Sequence, residues 1–327
     1  MKDRPEESAK RKAITYFEQA QAIYEELGDD TSAATTLINI GWLYDQLNLK
    51  ADAVKSYSRA HSLYKKSNDQ LGMASALNSA GWAYRALGDK QSALANYFIA
   101  LEIYRHRPDR QGEAITLRSI GAAYLDLGRN SEALSYLLPA LKIEIEIDNE
   151  FTRFSRAATL DDIATAYKNL SKHDEALKHY AEALRIFRRY RIPGAGTIYK
   201  MGLVYLALGN KDAALGQFME ALFAAYSTTD RETETNILSS LMSLWATLGN
   251  PRLAVFYGKQ SVNLSQSLRA NIKILSPDLQ RAYLKSIENT YRTLADLLAA
   301  EGRIPEAQQV LAMLKEEEYS QFVQRTS

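Results

Sequence analysis

The chain has 327 residues with 40 basic and 39 acidic side chains and a net charge of +1, so it presents no global basic field to hold nucleic acid or an anionic membrane. Cysteine is absent, which excludes disulfides, thiolate metal sites and a cysteine nucleophile within the chain. No apolar run approaches the roughly 18 residues of a membrane span, and the polar start, Met1-Lys2-Asp3-Arg4-Pro5, is not a signal peptide; the expected location is cytoplasmic.

In chain order, residues 1–9 are polar and carry Pro5, and are expected as a short frayed entry. A first helix near Ala9 to Leu27 follows, with Ala13, Phe17 and Ala20 on one face. Then one stretch recurs at a spacing of 40 residues: Gly41-Trp42-Leu43-Tyr44, Gly81-Trp82-Ala83-Tyr84 and Gly121-Ala122-Ala123-Tyr124. A sustained period of about 20 to 50 residues marks a stacked-repeat protein, not a single globular core. Leu37, Ile40, Gly41 and Tyr44 fall at i, i+3, i+4 and i+7 and predict one buried stripe; Ala53, Tyr57 and Ala60 do the same on the next helix. The set repeats as Ala93, Tyr97 and Ala100, then Ala133, Leu137 and Ala140. Small residues at facing positions let two antiparallel helices approach closely while aromatics fill the space between pairs. Turns inside repeats are expected at Asn48-Leu49-Lys50, Gly88-Asp89-Lys90 and Gly128-Arg129-Asn130, where glycine or asparagine ends a helix.

Leu141 to Asp148 alternates apolar and charged residues, which locally argues a strand. The register continues from Ala133, Leu137 and Ala140 and favours helix, with a solvent-facing strand as the alternative. The next repeat has Ala164, Tyr167, Ala176, Tyr180 and Ala183, shifted by an insertion around Asp148 to Thr152. The basic run Arg185 to Arg191 is expected to face the negative end of its own helix, and Ile192-Pro193-Gly194-Ala195-Gly196 to form a linker turn. A fifth repeat carries Gly202, Tyr205, Ala214, Phe218 and Ala221. In the sixth, Trp245 and Ala254 remain but Gly258 and Ser261 replace the aromatic and the alanine, as though the pattern were wearing out. A helix from Pro251 is expected to pass Leu268. Ser276-Pro277-Asp278 restarts a long helix to about Ala300, and Ile304, Ala307, Val310, Leu311 and Leu314 share a face of the last one.

The recurring glycine or alanine, tyrosine, alanine, large residue and alanine resemble the tetratricopeptide repeat, in a form longer than its usual ~34 residues and without its late proline. The resemblance implies an all-α, right-handed α-α superhelix. It would hold about six full repeats (28–263), preceded by an entry and half repeat consisting of a second helix only (1–27), and followed by a degenerate unit (264–327). Residues about 264 to 323, including Leu279-Gln-Arg-Ala-Tyr-Leu284 and Pro305-Glu-Ala-Gln-Gln-Val-Leu311, are similar to the segment preceding the caspase-like domain of bacterial CHAT proteins. That similarity implies a sensing arm with a following caspase-like domain as a partner; a free-standing peptide receptor of bacterial signalling is the alternative. Tyr319, Phe322 and Val323 lie beyond the last stripe and suit a platform for such a domain.

The four histidines, His61, His106, His173 and His179, form no i, i+4 pair and no metalloprotease motif, and no serine sits in a nucleophile elbow. No enzyme, cofactor or metal is expected. Beside the buried stripe of each first helix lies a second, at positions three before, one after and four after the small residue. In tetratricopeptide arrays that stripe lines the concave groove. It reads Ile38, Trp42 and Asp45, then Asn78, Trp82 and Arg85, then Arg118, Ala122 and Leu125, then Asp161, Thr165 and Lys168, then Tyr199, Leu203 and Leu206. Two tryptophans, an asparagine and charges of both signs suit a peptide or protein segment, because the amide pairs with main chain and the indoles supply contact area. The competing reading is that Trp42 and Trp82 pack only against neighbouring helices. Nothing in the sequence fixes an oligomeric state.

Overall fold

An aspartate at the start of a helix and a left-handed residue past its end divide most of the chain into helices of about 17 residues. The computed structural model describes residues 5–228, 230–272 and 277–314. Contacts divide the chain into two units, Met1–Lys172 and His173–Ser327. The first holds α1 (Pro5–Glu26), α2 (Asp30–Gln46), α3 (Lys50–Lys66), α4 (Gln70–Ala86), α5 (Lys90–His106), α6 (Arg110–Asp126), α7 (Asn130–Ile147) and α8 (Glu150–Asn169). The side chains of Asp29, Asp69, Asp89 and Asp109 accept from the backbone N–H of Ser32, Gly72, Ser92 and Gly112, satisfying donors that a helix start leaves open. At the other end Asn48, Gly88 and Gly128 take positive φ, as the turn positions predicted. Residues 5–9 are helical, not a frayed entry: Pro5 stands first in α1, where its missing N–H costs nothing.

The pairing within this unit rests on close approach. A Cβ added to Gly41 would sit 2.5 Å from the Tyr57 ring, and one on Gly121 would sit 2.5 Å from Leu137; Gly81 meets Tyr97 in the same way. Tyr97 and Leu137 are fully buried and Tyr57 nearly so. Any side chain at these glycines would drive the helices apart, so the glycine sets the interaxial distance of α2 with α3, α4 with α5 and α6 with α7. A second set joins successive pairs: Gly72 lies against Tyr64 and Gly112 against Tyr104. The first-helix tyrosines behave differently from expectation. Tyr44 and Tyr84 are only half-buried, because i+7 from Leu37 has turned towards the rim; Tyr124, under its neighbour Tyr136, is buried.

Leu141 to Asp148 is helical to Ile147, and Asp148 ends α7 in the left-handed conformation. The helical period explains the deceptive alternation: Ala140, Ile143 and Glu144 turn inwards, while Ile145 is left half-exposed on the surface. Asn149 then opens α8 with a capping box to Thr152, within the expected insertion.

The second unit holds α9 (His173–Arg189), α10 (Ala195–Ala207), α11 (Lys211–Thr228), α12 (Arg231–Thr247), α13 (Pro251–Ile272), α14 (Pro277–Ala300) and a further helix, α15, over 304–314. Gly202 again faces an aromatic, Phe218, with a would-be Cβ at 2.6 Å. The next pair corrects the reading of a decaying pattern. Met242, buried and 40 residues after Gly202, faces Gly258, whose added Cβ would meet Met242 Sδ at 2.6 Å and Leu294 at 2.9 Å. The large and small partners have exchanged helices; the contact is preserved. Val255 and Val262 of α13, Tyr291, Leu294 and Leu298 of α14, and Ala307, Val310 and Leu314 of α15 continue the core. Ser276, Tyr319, Phe322 and Val323 lie outside the described residues. Among the described residues no helix is long and apolar enough to cross a membrane.

The exchange at Met242 and Gly258 gives a test of volume complementarity. Gly81→Met is expected to cost roughly 1–3 kcal/mol by overpacking, and Tyr97→Gly at least about 3–5 kcal/mol by opening a cavity. Together they rebuild the Met242–Gly258 arrangement, so urea unfolding of the double variant should show a loss smaller than the sum by about 1 kcal/mol or more. Additive losses would mean that the two side chains do not share one space.

Candidate functional site

In the first unit α2, α4, α6 and α8 approach one another in turn, whereas α3, α5 and α7 do not approach one another among the described residues. Helices that crowd on one side of a stack line its inner wall, so the first helix of each pair forms the concave surface. The expected stripe lies there. Trp42 is 56% exposed and Trp82 42% exposed. The Trp82 indole N–H donates to Ser119 Oγ at 2.7 Å, which ties the ring to α6 while its surface stays open to solvent. Trp82 thus packs and remains available. Ala122, counted in the stripe, is instead buried, since α6 is the most enclosed of these helices.

The polar members divide into those the fold uses and those it leaves open. Tyr57 donates to Asp45 Oδ2 at 2.9 Å, and Lys50 Nζ stands 3.2 Å from Asp45 Oδ1. One repeat later arginine takes the aspartate's place. Arg85 turns away to Asp126, its Nε at 2.5 Å from Oδ2; burial opposes its charge, but that bond raises the guanidinium further. Tyr97, the counterpart of Tyr57, is left with a buried hydroxyl that has no partner, and burial pushes its phenol up. Asn78 is buried with no partner for Oδ1. Arg118, in the same register one repeat on, has no hydrogen bond at Nε and a loose ion pair with Asp162 at 3.9 Å. Asp161 and Lys168 are half-buried on α8, with interactions of their own. Buried polar atoms are normally satisfied, so an acceptor at Asn78, a hydroxyl at Tyr97 and a donor at Arg118 are notable together.

Tyr199 belongs to the second unit. Its ring lies 5.7 Å from that of Phe218 and its hydroxyl 3.1 Å from Ser240 Oγ, so it links α10 to α12 in that unit's core. Sequence reasoning missed Ser119, Tyr97 as a polar group, and Glu144. Glu144 is buried on α7, accepting from Ser155 Oγ at 2.7 Å and Thr159 Oγ1 at 3.1 Å. Burial raises its carboxyl, against those two hydroxyls and the charges of Arg118 and Arg156. Its signal was present as i+4 from Ala140, but the alternating pattern concealed it.

Comparison with known proteins bears on the fold. The tetratricopeptide repeat family model matches residues 9–66 and 155–226. No curated protein sequence matches. Among solved structures, the apo form of the quorum sensor NprR from B. thuringiensis is similar with a TM-score of 0.67 and 17% identity, over 94% of this chain and 83% of that one. The apo form of RapI gives 0.63 and 17%, over 88% and 97%. A Rap protein complexed with competence and sporulation factor gives 0.62 and 14%, over 99% and 89%. These likenesses show the fold, an α-α array of tetratricopeptide type. The matches lend no support to the similarity of residues 264–323 to CHAT proteins.

Glu144 supplies a pH test. A carboxyl whose folded pKa is raised stabilises the fold most when protonated, so this contribution is complete below its ordinary value of 4.5 and is lost as pH rises through the raised value. Urea unfolding across that range should show Glu144→Gln gaining relative to the wild type as pH increases. A difference that stays constant with pH would refute the buried, raised carboxyl.

Proposed function

We propose that the chain is a non-enzymatic interaction scaffold whose first unit binds an extended peptide or protein segment along the concave face of α2, α4, α6 and α8. One observation carries this reading: Trp42 and Trp82, at the same register of successive repeats, stand 56% and 42% exposed on α2 and α4 of that face. Beside them Asn78 Oδ1 and Arg118 Nε are enclosed atoms without a hydrogen-bond partner, and a side-chain turn that brings them to the groove would let them meet a main-chain N–H and carbonyl. The exposed faces of Trp42 and Trp82 supply apolar contact area for ligand side chains. The charges nearby are mostly paired internally, Arg85 with Asp126 and Arg118 loosely with Asp162, which favours neutral main chain over a strongly charged ligand. One of the similar structures is a Rap conjugation gene regulator in complex with the Phr* peptide, which agrees with a peptide reading.

Two finer parts of the proposal stand on other ground. The role of sensing arm in a CHAT-type protein, with a caspase-like domain as a second partner, rests on the resemblance of residues 264–323 alone. Cytoplasmic location rests on composition alone. A free-standing receptor would use the same groove.

The test is binding of a random peptide library to the full chain, followed by titration of a recovered peptide against variants. Asn78→Ala is expected to weaken binding about ten-fold through loss of a buried polar contact, and Trp42→Ala with Trp82→Ala by about ten-fold or more. Circular dichroism should show both variants folded. A recovered peptide that binds all of them equally would place the site elsewhere.

A further inference from the structure

On the second unit α10, α12 and α14 approach in turn among the described residues, so α11 and α13 present the opposite, outer face. Outer faces of stacked helix pairs are expected to be polar, yet this one is not. Met219, Phe223 and Tyr226 recur at i, i+4 and i+7 on α11 and are all exposed, Phe223 by 78%. On α13 Phe256 is 54% exposed, and its ring meets that of Tyr257 edge to face at 5.2 Å. The Tyr257 hydroxyl reaches Met219 Sδ at 3.6 Å, so the two helices contribute to one continuous patch. Nothing in the peptide groove accounts for it.

The edges of the patch carry more basic than acidic charge: Asp212 and Glu220 of α11 are exposed there, and Glu220 is paired. Arg188 of α9 joins α11 through Glu220 at 3.1 Å, which brings the arginine end of α9 against the patch. Arg185 and Arg189 are exposed there and have no ion-pair partner among the described residues; Arg252, one turn before Phe256, stands likewise on the α13 side. The exposed acids of α9, Asp174 and Glu175, lie in its first turn, at the far end of that helix. The arginines of the run 185–191 thus do more than face a helix dipole: they frame an apolar surface.

We propose that this outer face of α11 and α13 is a docking surface for an amphipathic helix of another protein, apolar on one side and acidic along its borders. Aromatic and methionine side chains adapt to an apolar helix face, and unpaired arginines at the rim select carboxylates. Charge complementarity decides among occupants. A second copy would bring the Arg185, Arg189 and Arg252 edges together with Asp212 as the exposed carboxylate of α11 and α13 left to match them, fewer acids than arginines.

The experiment uses a phage-displayed library of random peptides of about 16 residues, long enough for four helical turns. It is panned on the full chain and counter-selected on the Phe223→Ser, Phe256→Ser double variant, whose changes are at exposed positions. The recovered pool should carry apolar residues at i, i+4 and i+7 flanked by Asp and Glu. A synthetic member should lose affinity about ten-fold against the double variant, and about three-fold or more against Arg185→Glu with Arg189→Glu. Its affinity should be unchanged by Trp42→Ala with Trp82→Ala, which separates this surface from the groove. The proposal is overturned by a pool that does not distinguish the two proteins, by a pool rich in basic residues, or by binding that survives both sets of changes. It is equally overturned if no peptide is recovered and the patch variant instead abolishes self-association or binding to phosphatidylglycerol vesicles.

Discussion

A helix can lie against another only as closely as its largest contacting side chain allows, and in this protein that distance is set by glycine beneath an aromatic ring. Gly41 under Tyr57 and Gly81 under Tyr97 leave no room for even a methyl group. Because the same contact recurs every 40 residues, each pair repeats the geometry of the last, and the tyrosine–glycine contacts of Tyr64 with Gly72 and Tyr104 with Gly112 pass that geometry to the following pair. The repeated element is a volume relation. Leu137 replaces tyrosine over Gly121, and Met242 with Gly258 inverts the partners, yet each pair remains filled. Cores accept such exchanges when total volume is kept.

The same contacts place the polar groups of the inner face. Seating Tyr57 and Tyr97 over glycines projects both hydroxyls towards the first helices of their pairs. In one repeat Asp45 accepts the hydroxyl and the position is closed; in the next, Arg85 stands in its place, turns to Asp126, and leaves the buried Tyr97 hydroxyl without a hydrogen-bond partner. A change at one surface register thus removes a structural hydrogen bond, while the helices themselves keep their spacing. On the second unit, the outer helices carry a different kind of excess, apolar surface with unpaired arginines.

Much of the fold was legible because its period, turn residues and small positions are local signals repeated in register. Pairing by Gly41, Gly81 and Gly202 could be anticipated from spacing alone, and so could the helical state of Leu141 to Ile147 despite its alternation. The inward face of Tyr44 and Tyr84 could not, since at i+7 the drift of a helix carries a side chain to the rim. Met242 with Gly258 looked like decay because a residue-type signature does not register volume. The inner stripe was legible as a set of positions, but not its state of satisfaction. Whether Asn78 or Trp82 has a partner depends on residues about 40 positions away in the chain, and Ser119 gives no signal of its own.

Glycine-to-ring contacts couple each helix pair to its neighbours and hold the inner face in place. In a linear array a local perturbation should spread to adjacent repeats and no further. Hydrogen exchange read by mass spectrometry in the Gly81→Met chain tests this directly. Faster exchange is predicted in α4 and α5, a smaller increase in α3 and α6, and none in α11 and α12. Unchanged exchange in α4 and α5, or an equal rise throughout the chain, would contradict it.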